Sequence, residues 1–551
     1  MNIPATFSEK YIKHLDATYD CVDRIVLNAY FSMGMSPGGF RTWWRELTGG
    51  DETLDDTHLM RFAGRFSRRI QAYANREGIA LAHCASKERK HELAEQYKPK
   101  DPSYKGVYCI LAGRSPAPVY RVIPCNNGQM HIERKKPYPY VNHYSFYIMD
   151  PDWGAIVIKI CPHPPFTAQI ILNGHEYVAR QAVKEGISFT KEGNCFTRLS
   201  NAADFGRIAD AMRTLSSVGR MSQVCERWIY SSCLCFALTL DEQRKSIFRY
   251  SYSVYQAEYS RNLIFTRGRT MDEVFQSIID RSRSPLNIKT IKTIFGYKRR
   301  PYHKDKQGKP PKVEAVVERP VYDLTIFKVH LGKLTVKIYS KGERVLRIEA
   351  IAHNTNELGC RKSIGSFGEV ASALKSLLER FLEVLSGIDC PFLNDETLDK
   401  WPLPSMVGAT RVGGIDVNKL RIRSAMEAVV ALSLRPHGFT TSDLAAKVQQ
   451  IMDTSDCPYQ PRQASYDLKK FRGKGLVRKI EKSRRYEITV NGLRSITGFL
   501  FFRHKVLVPL LAGNGKPVSS CQTENQYKLD IHYRKVQIQM QHILNELKIA
   551  A

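Results

Sequence analysis

With 551 residues, 83 Lys and Arg against 54 Asp and Glu, and a formal net charge of +29, the chain is too long for a single core and too basic for charge that serves solubility alone. A hydrophobic fraction of 43% excludes a mainly disordered chain, no apolar run reaches membrane-spanning length, and the opening Met1 to Lys10 lacks the pattern of a secretory signal. The expectation is a soluble, cytoplasmic, multidomain protein without a membrane partner. Nucleic acid is the polyanion favoured, with ribosomal association or anionic lipid behind it.

The 13 cysteines include no Cys-x-x-Cys pair, and Cys233 and Cys235, two apart in an apolar run, suit burial better than zinc. They read as reduced core thiols. No Walker A motif and no dinucleotide-type glycine loop is present, which excludes nucleotide-driven work of those kinds.

Residues 1–104 read as a helical amino-terminal domain, because 11–31 and 55–76 both carry apolar residues at helical spacing. The stretch 86–95 mixes charges as a solvated helix does, with Arg89 and Glu92 an opposite pair at i,i+3. From Gly106 the period falls to two, predicting strands at 107–112, 119–123, 144–149, 155–160 and 169–175. A tight turn at 150–154 and helices at about 176–185 and 202–214 complete a first α+β unit over 105–280.

The same plan recurs 178 positions on: Tyr144, Ile148, Gly154, Lys159, Ile160, Ile170 and His175 fall on Tyr322, Ile326, Gly332, Lys337, Ile338, Ile348 and His353. Each stretch is followed by helical spacing, the second at 367–385, so a duplicated antiparallel-sheet core is expected, its second unit spanning 321–417. Two meanders that look alike by chance are the alternative.

Between them, 248–259 interleaves aromatic and polar residues, with Arg261, Arg267 and Arg269 following, a pattern that suits stacking on unpaired bases or a half-buried strand. The segment 281–312 holds 11 Lys and Arg and one acidic residue, Asp305, and includes Lys298, Arg299 and Arg300. Within a linker over 281–320, it is the candidate for a segment held against a phosphate backbone.

Lone polar residues offer little chemistry. Cys161-Pro162-His163-Pro164-Pro165 is a rigid loop that does not orient a thiol toward its histidine, and Asn173-Gly174-His175-Glu176 is explained by turn formation. The run Val336-Lys337-Ile338-Tyr339-Ser340-Lys341-Gly342 followed by Leu346-Arg347-Ile348-Glu349 is more pointed. It resembles a stretch of plasmid and filamentous-phage rolling-circle replication initiators, in which a Tyr-x-Lys-Gly turn precedes a Leu-Arg-x-Glu strand. The resemblance implies metal-dependent DNA nicking with Mg2+. Glu349 would be a ligand, Asp323, His353 and His330 would complete the site, and Lys337, Lys341 and Arg347 would contact phosphate. The chain has no His-x-His pair and no tyrosine whose spacing marks it as nucleophile, so a binding fold derived from such an enzyme is the other reading.

The clearest pattern lies between Asn418 and Val490. Helical spacing over 421–432 ends at Pro436-His437-Gly438; Thr440 to Asp443 offers caps for a second helix through Ile451; Pro461 opens a third through Arg472 with Ala464, Leu468 and Phe471 inward. Its outer residues are Arg462, Gln463, Ser465, Tyr466, Lys469 and Lys470, and a hairpin over 476–490 carries Lys482, Arg484 and Arg485 at its tip. From Lys419 to Arg485 there are 15 Lys and Arg against 6 Asp and Glu. This segment resembles the MarR-type winged helix-turn-helix family, and the whole chain resembles uncharacterised bacterial proteins labelled by such a tail. The resemblance implies a domain over 418–492 whose third helix reads a major groove while the hairpin grips the backbone. Winged helices also serve as protein-interaction or RNA-binding modules.

The remaining 493–551 reads as a helical extension, with Val536, Met540, Ile543 and Leu547 at a spacing that suits a homodimer or docking onto the same chain. The expected class is therefore multidomain α+β: helical amino-terminal domain, duplicated core, basic linker, winged helix. The expected function is DNA binding of mobile-element, plasmid or regulatory type. A replication-initiator-like nicking enzyme and a structured-RNA-binding ribonucleoprotein component are the alternatives.

Overall fold

The computed structural model describes residues 7–85, 88–124, 130–282, 292–293, 296–297, 313–321, 324–331, 333–389, 395–435, 437–452, 459–480, 483–503 and isolated residues between 507 and 542. Most of the expected basic linker, with Lys298, Arg299 and Arg300, lies outside these, as do Asp323, Lys482 and most of the expected carboxy-terminal helix. The chain divides into two compact units. The first is Ala17–Arg261 with Ile351–Leu374; the second is Met1–Asp16 with Asn262–Ala350 and Lys375–Ala551.

The first unit is built on a mixed sheet, and its opening strand corrects one expectation. Residues expected as a helix over 11–31 form β1 (Leu15–Phe31), a 17-residue strand. Tyr19, Cys21, Val22, Ile25, Val26, Leu27, Ala29 and Phe31 are all buried, on both faces. A strand covered on both sides loses its polar alternation, and its apolar residues then fall at helical intervals by default.

Two helices do follow. α1 (Pro37–Thr48) starts with a proline in its first turn and buries Phe40, Trp43 and Trp44. α2 (Asp56–Glu77) is capped by Asp55, whose carboxylate accepts from the His58 N–H at 2.7 Å, and it ends at Gly78 with φ 65°. Its buried face is Leu59, Phe62, Phe66, Ile70 and Ala74. β2 (Ala80–His83) and the short α3 (Lys90–Glu95) lead to β3 (Gly106–Pro116), β4 (Tyr140–Asp150), β5 (Gly154–Ile160) and β6 (Ala168–Asn173). α4 (Gly174–Lys184), α5 (Ala202–Ala211) and β7 (Tyr250–Phe265) come next.

The strand order is β7-β1-β6-β5-β4-β3-β2. The β2–β3 pair is parallel, and the pairs from β3 through β4, β5 and β6 to β1 are antiparallel. Register places Ile110, Phe146, Ile158, Ile170 and Leu27 in one row across five strands, each 0% exposed. Fully burying each such side chain contributes about 1.5–3 kcal/mol, so this row is a large part of what fixes register. The neighbouring row, one residue on and therefore on the opposite face, is Leu111, Ser145, Lys159, Gln169 and Asn28. It is mostly polar and partly open.

In the second unit β8 (Val313–Val321), β9 (Leu324–Leu331), β10 (Leu334–Lys341) and β11 (Val345–Ala352) lie in that order, the first two pairs antiparallel. α6 (Phe367–Asp389) follows, then a hairpin of β12 (Ser405–Val407) and β13 (Thr410–Val412). The last described elements are α7 (Leu420–Leu432), α8 (Thr441–Met452), α9 (Pro461–Gly473), the hairpin β14 (Val477–Lys479) with β15 (Tyr486–Ile488), and α10 (Val490–Phe502). α10 is tied back to α6, where Arg494 Nη2 donates to Glu383 Oε2 at 3.0 Å. No helix of the described residues is long and apolar enough to cross a membrane.

Candidate nucleic-acid interface

The three helices α7, α8 and α9 and the hairpin after them hold most of the surface side chains that the sequence marks for binding. α9 begins at Pro461, and the Gln460 N–H donates to Gln463 Oε1 at 2.8 Å, so one end of the Gln463 amide is spent on capping and its amino end remains. Ala464, Leu468 and Phe471 are 0% exposed, as the helical period requires.

Asp467 shares that buried face. Arg421 Nη2 of α7 donates to Asp467 Oδ1 at 3.1 Å, and the Tyr459 hydroxyl donates to Asp467 Oδ2 at 2.8 Å. Burial raises the Asp467 carboxyl above its ordinary range even though both donors act to lower it, and burial with the adjacent carboxylate pushes the Tyr459 hydroxyl up as well. Sequence reading missed this residue. The signal was there, since Asp467 stands at i+3 from Ala464 and i−4 from Phe471, where an aspartate must have partners.

Fixing α9 at its inner face fixes what the outer face presents. Arg462, Ser465 and Tyr466 are exposed, Tyr466 at 50%, while Gln463, Lys469 and Lys470 are half-buried. Lys470 Nζ sits 5.0 Å from the centre of the Tyr466 ring, which holds that ring against the helix. The β12–β13 hairpin lies alongside. A Cβ placed on Gly473 would fall 2.2 Å from Ser405 Oγ and 3.3 Å from a Val407 methyl, and one on Gly413 would lie 3.8 Å from the Tyr466 hydroxyl. The carboxy-terminal half of the outer face therefore has a neighbour, and the amino-terminal half is open.

α8 is anchored by a reciprocal cap, the Thr440 N–H donating to Asp443 Oδ2 at 2.9 Å and the Asp443 N–H to Thr440 Oγ1 at 3.2 Å. Burial pushes the Asp443 carboxyl up, but the Thr440 donors and Arg435, 2.6 Å away, outweigh it and hold it below the ordinary range. The β14–β15 hairpin is joined to the α7–α8 connection, where Phe439 and Tyr486 exchange backbone bonds of 2.9 and 2.7 Å. Arg484 and Arg485 are exposed beside its turn, Arg485 Nη1 donating to the Gly438 carbonyl at 3.3 Å. Arg478 and Glu487 neutralise each other across the strands at 2.6 Å.

The residues expected around a metal are disposed differently. Glu349 on β11 is 3% exposed, 2.5 Å from Lys337 Nζ on β10, and accepts from the Tyr339 hydroxyl at 3.4 Å. A carboxylate neutralised in this way is a poor ligand for a divalent cation. His353 is exposed. Among the described residues, which do not include Asp323, no group of three or more His, Cys, Asp or Glu side chains is placed to hold a metal ion. Arg347, expected on phosphate, is 2% exposed and donates from Nε to Asn262 Oδ1 at 2.7 Å, so it offers no charge at the surface. Lys341 is half-buried.

Elsewhere, the aromatic run 248–259 is largely strand β7, with Phe248, Tyr250 and Tyr259 buried and Tyr255 exposed at 40%. Stacking on bases is closed to the buried rings. His175 is 0% exposed and pairs with Asp23, itself 1% exposed, a core contact that sequence spacing did not reveal. Cys161 is buried in its proline loop and its thiol is pushed up to about 11 by burial, so it is not a nucleophile at neutral pH. Comparison of the chain with protein-family profiles, with curated proteins and with solved structures finds no match.

Proposed function

We propose that residues 418–492 form a winged-helix-type module that binds duplex DNA, with α9 entering a major groove and the hairpin turn holding the backbone. The observation that carries this reading is the Asp467 clamp. A buried carboxylate bonded to α7 and to the loop before α9 ties the inner face of the helix whose outer residues Arg462, Ser465 and Tyr466 are exposed. Arginine and amide side chains at that end supply the donors that base edges and phosphates accept, and Arg484 and Arg485 supply charge without base preference. Lys482 belongs with them by sequence. A regulatory or mobile-element role fits such a module, and the two meanders, β4-β5-β6 and β9-β10-β11, are on this reading related units that carry it.

The test is fluorescence anisotropy of the full chain with random-sequence duplexes over a salt series, followed by selection of preferred sites. Binding that weakens steeply with salt, together with a sequence preference lost on Arg462→Ala, supports the reading. A chain that ignores duplex at low salt and instead copurifies with one discrete RNA overturns it in favour of an RNA-binding role.

A further inference from the structure

Along the polar row of the first unit's sheet, two lysines meet without a carboxylate. Lys159 of β5 stands directly across from Ser145 of β4, and its Nζ donates to Ser115 Oγ on β3 at 3.0 Å. Lys90 comes in from α3 and donates to Ser145 Oγ at 3.3 Å. Among the described residues no Asp or Glu lies within ion-pair distance of either ammonium, although both are only half-exposed. Gly113 makes the approach possible, since a Cβ there would lie 3.3 Å from Lys90 Nζ.

The contrast with the second unit is informative. Counting 178 positions on, Lys159 corresponds to Lys337 and Ile171 to Glu349, and Lys337 is neutralised by that glutamate at 2.5 Å. In the first unit the carboxylate position is an isoleucine. The row continues away from Lys159 through Gln169, which donates to Asn28 Oδ1 at 2.9 Å and leaves the Asn28 amide nitrogen as a further donor. His143 reports on the surroundings. It is buried, its Nδ1 donates to the Val141 carbonyl at 3.1 Å, and burial together with Lys159, Lys90 and His163 pushes its imidazole down to about 4. Lys159 is itself lowered, by burial and then by Lys90.

Two partly desolvated ammoniums that repel each other, framed by hydroxyl and amide donors, are left uncompensated until an anion arrives. We propose that Lys90 and Lys159, with Ser115 and Ser145, form a binding site for a phosphate group at the half-buried polar row of this sheet. The phosphate belongs to a nucleic-acid strand or to a free nucleotide.

The test is lysine acylation of the intact wild-type chain, read by peptide mass spectrometry, with and without inorganic phosphate, a mononucleotide, or a single-stranded oligonucleotide at low salt. A bound phosphate covers Lys90 and Lys159 and favours the charged form of Lys159, so acylation of both should slow by about tenfold while that of Lys469 and Lys470 is unchanged by phosphate or mononucleotide. Protection by inorganic phosphate or mononucleotide identifies a small-molecule site; protection by the oligonucleotide alone identifies a strand site. Lys159→Met should weaken the effective probe by about tenfold, and Lys159→Arg should retain it, which separates loss of charge from loss of fold. Unchanged acylation with all three probes, or equal probe affinity in Lys159→Met and the wild type, overturns the proposal.

Discussion

Arg421 on α7 reaches the carboxylate of Asp467 on α9 across 3.1 Å, and that carboxylate is 0% exposed. The contact joins the first and third helices of the carboxy-terminal module at its core, so it acts as a rotational stop for the helix whose outer face carries Arg462 and Tyr466.

Asp467→Ala leaves Arg421 and the Tyr459 hydroxyl facing an empty site. Because Arg421 is 35% exposed and stays partly solvated, the expected loss is about 1–3 kcal/mol, below that of a fully buried pair, read by denaturant unfolding. The pH dependence has a definite sign. Burial raises the folded-state Asp467 carboxyl, so the folded state binds more protons than the unfolded one between the ordinary carboxylate range and the raised value. The stability of the wild type relative to Asp467→Asn should therefore fall as pH rises through that window. A difference that rises with pH would assign the shift the wrong sign.

Asp443 should behave in the opposite way. Its folded-state carboxyl is held below the ordinary range, so its contribution is present above about pH 4 and is lost as pH falls through the depressed value. Asp443→Ala removes the carboxylate that accepts from Thr440 at the start of α8 and the Arg435 contact together, and about 1–2 kcal/mol should be lost at neutral pH but little in strong acid. Thermal melts of both proteins across the acid range check this.

If the module holds DNA as proposed, Arg484→Ala and Arg485→Ala should each weaken every duplex alike and reduce the slope of log affinity against log salt by about one. Arg462→Ala should instead weaken preferred sites more than random ones. Anisotropy titrations with one preferred and one random duplex distinguish the two patterns.

Gly473 has no room for a side chain, since a Cβ would meet Ser405 Oγ at 2.2 Å. Gly473→Val should displace the β12–β13 hairpin, cost about 1–3 kcal/mol, and speed proteolytic cleavage within 403–413 relative to the rest of the chain. Unchanged cleavage would mean that the hairpin is not seated on α9.

Lys337→Met removes the ammonium that neutralises the Glu349 carboxylate in a site that is 3% exposed. The loss should be about 2–4 kcal/mol, discounted for the 21% exposure of Lys337, and the double variant with Glu349→Gln should recover part of it. On the same grounds about 10 mM Mg2+ should leave the wild-type melting temperature unchanged, since a cation bound to the folded state alone would raise it.

Much of the secondary structure was legible because its patterns were one-sided. α9, with Ala464, Leu468 and Phe471 inward, and β5, with Ile156, Ile158 and Ile160 alternating against half-buried neighbours, each expose one face and so show their period. β1 did not, because burial of Val22, Ile25, Val26 and Leu27 on both faces erased the alternation; its β-branched residues were the remaining sign of a strand. The outer residues of α9 could be read from helical geometry alone. Asp467, Asp23 and the partners of Arg347 could not, since a buried charge is intelligible only with the distant residue that satisfies it, and Arg347 needs Asn262 from another strand. The two-lysine cluster was hidden for the same reason: Lys90 and Lys159 are 69 positions apart, and only the packing of α3 on the sheet brings them to one serine pair.

The backbone exchange between Phe439 and Tyr486 gives the hairpin a second root, outside its own two strands. A wing hung only from α9 and α10 would swing and settle against grooves of many widths. Rooted at the α7–α8 connection as well, it becomes the second jaw of a calliper whose first jaw is the amino-terminal end of α9. If the module binds duplex DNA as proposed, it should gauge the span between groove and backbone before any base is read and discriminate among duplexes by how readily they adopt that width.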